Sequence, residues 1–277
     1  MQDILTGNFA ARRWELWPSP AMRVVDWNID RGLRLAEIAE FLESQNADLL
    51  TLQEVDLNAR RTHRLNIAEE IARRLRLNYV LGREFEELTQ GSRTSPAYHG
   101  QATLSRWRLS NPRVIRFRRQ SSFWRPRWFL PRTEPFQERI GGRIALVTEI
   151  ESLGRRLTVY NLHLESRGNN DLRLAQLEEV IQDAARYSPQ TPILVAGDLN
   201  FDAFRAGVSQ RLCFRSALDL PPPPTTPAHG LLQRQYSIDW AFVSGPVEAN
   251  LGRVYSSITA SDHYPLSFTI KFSTGRP

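Results

Sequence analysis

Pro192-Ile193-Leu194-Val195-Ala196-Gly197-Asp198-Leu199-Asn200 (residues 192–200) holds the pattern from which the rest of the chain can be read. A short apolar run of this kind is consistent with a buried strand. It ends on Gly197-Asp198-Leu199-Asn200, which puts a carboxylate at the strand end. A carboxylate there is costly unless a cation or hydrogen bonds compensate it.

The arrangement recurs on both sides. A Val-rich strand candidate at 22–29, bounded by Pro20 and Gly32, ends in Trp27-Asn28-Ile29-Asp30. The apolar run 48–53 ends in Gln53-Glu54, and strand 157–163 ends in Asn161-Leu162-His163. That last strand pairs with 144–150 as a hairpin turning near Gly154. Ile238-Asp239-Trp240 and Ser261-Asp262-His263 follow. Shorter strands are expected at 79–82, 102–105, 114–117, 251–255 and 265–272. Helical spacing marks 33–45, 64–75 and 171–187, the last with a stripe of Leu174, Leu177, Val180 and Ile181. Strands interspersed with helices, hairpins included and no internal repeat, predict α/β layering with mixed sheets. Polar strand ends converging in such a sandwich build an acidic, metal-ready cleft.

The ordered strings W-N-I-D (27–30), L-Q-E-V-D (52–56), N-L-H-L-E (161–165), G-D-L-N (197–200), S-I-D-W (237–240) and S-D-H-Y-P (261–265) resemble the endonuclease/exonuclease/phosphatase superfamily. Taken singly, each string has an ordinary explanation. Asp262-His263 alone is a polar turn, Glu54 alone a surface residue, and His163 alone a satisfied structural histidine. Six in family order, spread over nearly the whole chain, reverse that weighing.

The resemblance implies a four-layer α/β sandwich, two mixed β-sheets packed face to face and flanked by helices. It also implies a phosphate-ester hydrolase dependent on Mg²⁺ or Mn²⁺. Glu54 would be the principal metal carboxylate, with Asn28 beside it and Asp30 and Asp262 at or near the ion; such oxygen-rich coordination suits Mg²⁺. Asp198 would align or deprotonate the attacking water, and Asn200 would hydrogen-bond the phosphate. Asp239 would orient His263, and His163 would donate to a non-bridging oxygen as charge builds. Whether Asp198 or His263 is the base stays open. Gln101, Arg143, Asn161 and Arg167 are the candidate substrate-binding residues. Gln101 stands in a G-Q-A-T-L-S string where the family usually has Asn, and a structural role for it is equally open. His99 precedes that string, while His63 and His229 read as surface residues.

Bulk properties bound the rest. The 277 residues, 41% hydrophobic, are read as one catalytic domain over 22–277 behind an N-terminal extension, 1–21. An Arg/Trp-rich insertion is expected at about 106–143. The single cysteine, Cys213, excludes an internal disulfide framework and a multi-Cys zinc site, and is expected to be a buried structural thiol. No apolar stretch approaches transmembrane length, and residues 1–17 lack the apolar core of a secretory signal. A cytoplasmic protein is expected. Pro221–Pro224 should be an extended surface loop.

The net charge of +6 is unevenly placed: 106–143 carries eleven arginines against Glu134 and Glu138. The arginines alternate with Trp107, Phe117, Phe123, Trp124, Trp128, Phe129 and Phe136. Such a mixture can track a phosphate backbone and stack on bases, or lie in the headgroups of an anionic membrane, or simply pack and solvate a long insertion. No obligate protein partner is implied. A nuclease-like phosphodiesterase is the first expectation. A phosphatase or phosphodiesterase acting on lipid or small molecules is the second, and a catalytically inactive binding module on the same fold the third. His163 sits where apurinic-site endonucleases of this superfamily usually carry tyrosine, and the stretch 238–262 is compact. A dedicated apurinic-site repair role is therefore not expected.

Overall fold

Two mixed sheets face one another and, among the described residues, three α-helices cover their outer surfaces. The structure is a computed structural model, which describes residues 3–10, 21–133, 136–152, 154–208, 214–228 and 233–273. One sheet has eight strands: β1 (Ile4–Asn8), β2 (Ala21–Arg31), β3 (Leu49–Leu57), β4 (Asn78–Glu87), β5 (Ala97–Ser105), β7 (Arg139–Gly141), β13 (Val247–Val254) and β14 (Leu266–Phe272). The other has six: β6 (Leu109–Arg116), β8 (Ile144–Ser152), β9 (Arg155–His163), β10 (Ile193–Asp198), β11 (Arg215–Ser216) and β12 (Asp239–Ser244). The pairs β2–β3 and β9–β10 are parallel and the others antiparallel.

Period-two alternation decides what each strand contributes to which layer. Val25, Trp27 and Ile29 of β2, with Leu50 and Leu52 of β3, meet Ile38 and Leu42 of α1 (Leu35–Gln45) and Ile67 and Ile71 of α2 (Ile67–Leu75). Tyr160, Leu162, Val195 and Phe242 of the second sheet meet Leu177 and Val180 of α3 (Asn170–Ala184). The residues of opposite parity face inward. Met22, Val24 and Leu49 there pack on Leu157, Val159, Leu194 and Val243. Helix, sheet, sheet and helix make the four layers expected from the sequence. No helix among the described residues is long and apolar enough to cross a membrane.

Towards the site the inter-sheet layer turns polar. Asn161 Nδ2 reaches across to the carbonyls of Leu52 and Ala102, at 3.1 and 3.0 Å. Gln53 Nε2 returns a bond to Asn161 Oδ1 at 2.9 Å and another to Asp26 Oδ1 at 2.9 Å, which Thr51 Oγ1 also reaches at 2.6 Å. Gln101 Nε2 donates to the Ile144 carbonyl at 3.0 Å. Gln101 and Asn161 thus bind the sheets to each other through amide N–H groups given to the backbone.

Asp26 carries a consequence for stability. Burial, with Asp239 and Asp198 adding to it, raises its carboxyl from 3.8 to about 8, against the hydrogen bonds from Thr51 and Gln53. Between those two values the folded chain holds a proton that the unfolded chain has lost. Stability conferred by this group therefore falls as pH rises across that window. Asp26→Asn keeps an oxygen for Thr51 and Gln53 and never ionises. It should stabilise the protein by about 2–4 kcal/mol at pH 8 and by much less near pH 4. Urea unfolding at the two pH values measures the difference, and equal effects at both would refute the assignment.

Three sequence expectations change. Ile4–Asn8 of the presumed extension pairs with β4 along 78–82 as an edge strand. The presumed insertion at 106–143 opens with β6, an edge strand of the second sheet, and closes with β7 against β4. Strand β4 runs on to Glu87 because its acidic residues are paired: Glu84 with Arg143, and Glu87 with Arg61 and Arg139. Local apolar content cannot reveal such pairs. Pro221–Pro224 lies outside helices and strands, as expected, with Ser237 Oγ donating to the Pro223 carbonyl at 3.0 Å. His63 is exposed, while Cys213 and His229 lie outside the described residues.

Candidate active site

Register assembles the site. Asp198, the last residue of β10, lies beside His163 on the parallel neighbour β9 and beside Asp239 on the antiparallel neighbour β12. Parity points all three towards the opposite sheet, where Asn28 ends the inward row of β2. Gly197 makes the approach possible: at φ 139° a Cβ there would lie 2.0 Å from the Leu162 carbonyl oxygen. Asn28 Nδ2 donates to Asp198 Oδ2 across the sheets at 3.2 Å.

His263 enters from the loop before β14. Its carbonyl accepts from Trp27 Nε1 at 2.8 Å, and its N–H donates to Ser261 Oγ at 3.2 Å; that hydroxyl donates to the Asn28 carbonyl at 2.7 Å. The ring is thereby tied to the end of β2. Its Nδ1 meets Asp239 Oδ1 and Oδ2 at 2.9 and 2.8 Å, while Nε2 stands 3.7 Å from Asp198 Oδ2. His163 Nε2 is 3.5 Å from the same oxygen. Two imidazoles and one carboxylate oxygen therefore share a point.

The charges follow from these distances. Burial raises the Asp198 carboxyl to about 7, with Asp239 adding to the rise and His263 opposing it. Burial alone would push His263 down, but Asp239 and Asp198 hold it well above the usual histidine range. His163 is pushed well below that range, by burial first and then by the Arg143 guanidinium. One neutral and one cationic imidazole thus flank Asp198, a division of roles seen where acid and base work is done.

Glu54 sits at a bulge, where the pairing of β3 with β2 and with β5 both slip. Its φ is 53°, and Asp30, Arg31 and Asn200 also lie in the left-handed region at 42°, 66° and 57°. Backbone held in that region without glycine costs energy that neighbouring structure must offset, and it gathers at functional sites. Burial works against ionising Glu54, yet His99, His163, Arg31 and Arg143 together bring its carboxyl well below the ordinary range. Its nearest basic nitrogens are Arg31 Nη1 and His99 Nε2 at 3.9 Å and His163 Nε2 at 4.0 Å. No hydrogen bond satisfies either oxygen among the described residues.

Two donor sets could hold a cation. Asp198, Asp239 and His263 offer ligand atoms within 4.8 Å of one another. Glu54, with Asn28, Asp30 and Asp262 nearby, offers oxygen alone. Asp262 is exposed and Asp30 is paired with Arg31, and burial, with Asp262 and Glu54 adding to it, raises the Asp30 carboxyl. The unsatisfied, ionised and partly open Glu54 carboxylate fits a hard cation.

A cleft of about 460 Å³ opens beside Glu54, walled by Arg31, Phe123, Phe136, Arg139, Arg143 and Arg167. Arg143 is buried, bonding Glu84 Oε1 at 2.8 Å and Ser166 Oγ at 2.9 Å; Arg167 lies over the Phe123 ring at 4.8 Å. Asn200 Nδ2 donates to the Leu164 carbonyl at 3.1 Å, and its N–H donates to Asp198 Oδ1 at 2.8 Å. Asn28, Asp198, Asp239, His163, His263 and Glu54 therefore come together, and Asn161 and Gln101 lie beneath them in the inter-sheet layer. Sequence reasoning missed Arg31 and Glu84. It also left His99 unassigned, although His99 Nδ1 meets Asp56 at 3.2 Å with its Nε2 turned towards Glu54.

The comparisons with known proteins agree with this fold. The chain superposes on an endonuclease/exonuclease/phosphatase from Beutenbergia cavernae with TM-score 0.67 and 16% identity, over 91% of this chain and 72% of that one. It superposes on TDP2 from C. elegans with TM-score 0.62 and 20% identity, over 91% and 75%. For the human Nocturnin catalytic domain, solved with a bound sulfate anion, the TM-score is 0.65 at 20% identity, over 98% and 97%. No curated protein matches the chain. The family model for the Endonuclease/Exonuclease/phosphatase family matches residues 27–263, which span every strand end described above, and the chain belongs to that family.

Proposed function

We propose that this protein is a divalent-metal-dependent phosphoesterase in which Asp198 accepts a proton from the attacking water. The observation that carries the reading is the row His163–Asp198–Asp239 with His263 Nε2 turned to Asp198, next to an open Glu54 carboxylate. Glu54, with Asn28, Asp30 and Asp262, would hold Mg²⁺ or Mn²⁺. Bound there, the cation supplies positive charge against the phosphate oxygens. Asp198, with its carboxyl near 7, is matched to general-base work at neutral pH. Asp239 holds the His263 ring by Nδ1 and leaves Nε2 to face the reacting centre. His163, with its lowered basicity, can donate a neutral N–H to a phosphate oxygen. Asn200 braces Asp198 through its backbone N–H, and its side-chain amide, which gives one N–H to the Leu164 carbonyl, would offer the other to the substrate.

The arginines bear on substrate class. A nucleic-acid track along 106–143 needs those side chains free, yet several are held by acids. Arg106 pairs with Asp48, Arg113 with Asp183, Arg116 with Asp3 and Arg118 with Glu179. Arg139 pairs with Glu87, and Arg143 with Glu84. That pattern supports a phosphate ester of a lipid or small molecule over a polymer. A hydrolysis panel of duplex DNA, RNA, p-nitrophenyl phosphate, bis-p-nitrophenyl phosphate and a phospholipid, each with Mg²⁺ or Mn²⁺, tests it. Turnover of the small or lipid esters is expected, and Glu54→Gln should raise the Mg²⁺ needed for half-activation by roughly tenfold or more. Selective cleavage of DNA or RNA would return the reading to a nuclease, and an unchanged Mg²⁺ requirement would remove Glu54 from the metal site.

A further inference from the structure

Residues 125–132 are Arg-Pro-Arg-Trp-Phe-Leu-Pro-Arg, three large apolar side chains bracketed on each side by proline and arginine. The N–H of Leu130 donates to the Arg127 carbonyl at 3.0 Å, which makes Trp128 and Phe129 the central pair of a turn. Gly, Pro, Asn and Asp ordinarily fill such positions, each for a conformational reason. Trp128 is instead 96% exposed and Phe129 65% exposed, so neither contributes to the core. A contiguous apolar patch left in water marks an interaction site.

The tip is a held projection. Gln137 Nε2 donates to the Arg125 carbonyl at 3.1 Å, and its Oε1 accepts from the Arg127 N–H at 3.4 Å, clamping the two arms. Below the clamp, buried Trp124 donates through Nε1 to Glu165 at 2.9 Å. Whereas Arg118, Arg139 and Arg143 are held in ion pairs, Arg125, Arg127 and Arg132 make none among the described residues.

We infer that this tip docks the protein on an anionic bilayer, with Trp128, Phe129 and Leu130 entering the headgroup boundary and the three arginines facing lipid phosphates. A row of bases would need ring faces along a groove. Here the two rings meet edge to face at 86° on an exposed apex, and Leu130 has no π face. Phe123 and Phe136 at the loop's base line the cleft that holds Glu54, so docking sets the candidate site against the lipid surface. The docking goes beyond the phosphoesterase reading, and its test reads no catalysis.

The test is co-sedimentation of the full chain with vesicles of phosphatidylcholine alone or mixed with phosphatidylglycerol. The wild type should bind the mixed vesicles and release at high salt. The double variant Trp128→Ser/Phe129→Ser should lose roughly tenfold or more in partitioning. Arg125→Gln/Arg132→Gln should lose a similar factor and much of its salt sensitivity. All four positions are exposed, and an unchanged Tm confirms that each variant folds. Absence of wild-type binding to the mixed vesicles, or equal binding by the Trp128/Phe129 variant, overturns the inference. So does retention of a single-stranded oligonucleotide through the tip without vesicle binding, which would assign the surface to nucleic acid.

Discussion

Replacing Asp198 by Asn is expected to lower turnover by about 10²–10⁴-fold while leaving the fold in place. The carboxylate ends a buried strand, and its Oδ2 stands 3.5 Å from His163 Nε2 and 3.7 Å from His263 Nε2. An amide of the same size keeps one oxygen, which can still accept from the Asn200 N–H that now meets Oδ1 at 2.8 Å, and gives up only the bond from the Asn28 side chain to Oδ2 at 3.2 Å. It cannot take a proton from water. Folding should not suffer, because burial already disfavours the ionised form. The sign with pH follows: the base must be deprotonated, so wild-type kcat/KM should climb as pH rises through about 7. The residual activity of Asp198→Asn should lack that limb. Steady-state rates from pH 5 to 9, set beside urea midpoints of both proteins, make the comparison; wild-type turnover in the variant removes Asp198 from the chemistry.

Asp239→Asn should be nearly as damaging, by about 10³-fold or more, for a different reason. Asp239 is buried and fixes the ring of His263 through Nδ1 at 2.8 and 2.9 Å. An amide in its place can present either an N–H or an oxygen to that nitrogen, and loses control of tautomer and charge. Asp239 is also a main cause of the raised His263 basicity. Removing its negative charge lowers that pKa, so a limb of the pH–rate profile that needs the imidazolium moves to lower pH. A profile that falls in amplitude without moving would show that Asp239 only packs.

Why so much of the site could be read beforehand is visible in its construction. Asp198, Glu54, His163 and Asn28 each end or interrupt an apolar strand, and a polar residue at such an end stands out in a linear sequence. Within each sheet their placement needed only strand register, Asp198 beside His163 and Glu54 at the slip next to Asn28. The polar layer beneath was harder, because Asn161 and Gln101 have partners that appear only when the second sheet is stacked on the first. The same holds for the arginines. Arg113, Arg116 and Arg118 are a dense positive run in sequence, yet their acids lie at Asp183, Asp3 and Glu179, far along the chain. Strand β1 escaped notice for a related reason: five residues, none of them buried, have no pattern of their own until β4 offers an edge. Arg31 and Glu84 carry little local signal, since Arg31 meets Glu54 only when β3 lies beside β2, and Glu84 meets Arg143 far along the chain.

The most direct measurement is the initial rate of bis-p-nitrophenyl phosphate hydrolysis by the wild type and Asp198→Asn, each with Mg²⁺ and again after EDTA. Hydrolysis by the wild type that vanishes with EDTA, returns with added Mg²⁺ and is absent from the folded variant is the predicted result. Equal rates with and without the chelator, or in both proteins, would contradict a metal-dependent phosphoesterase centred on Asp198.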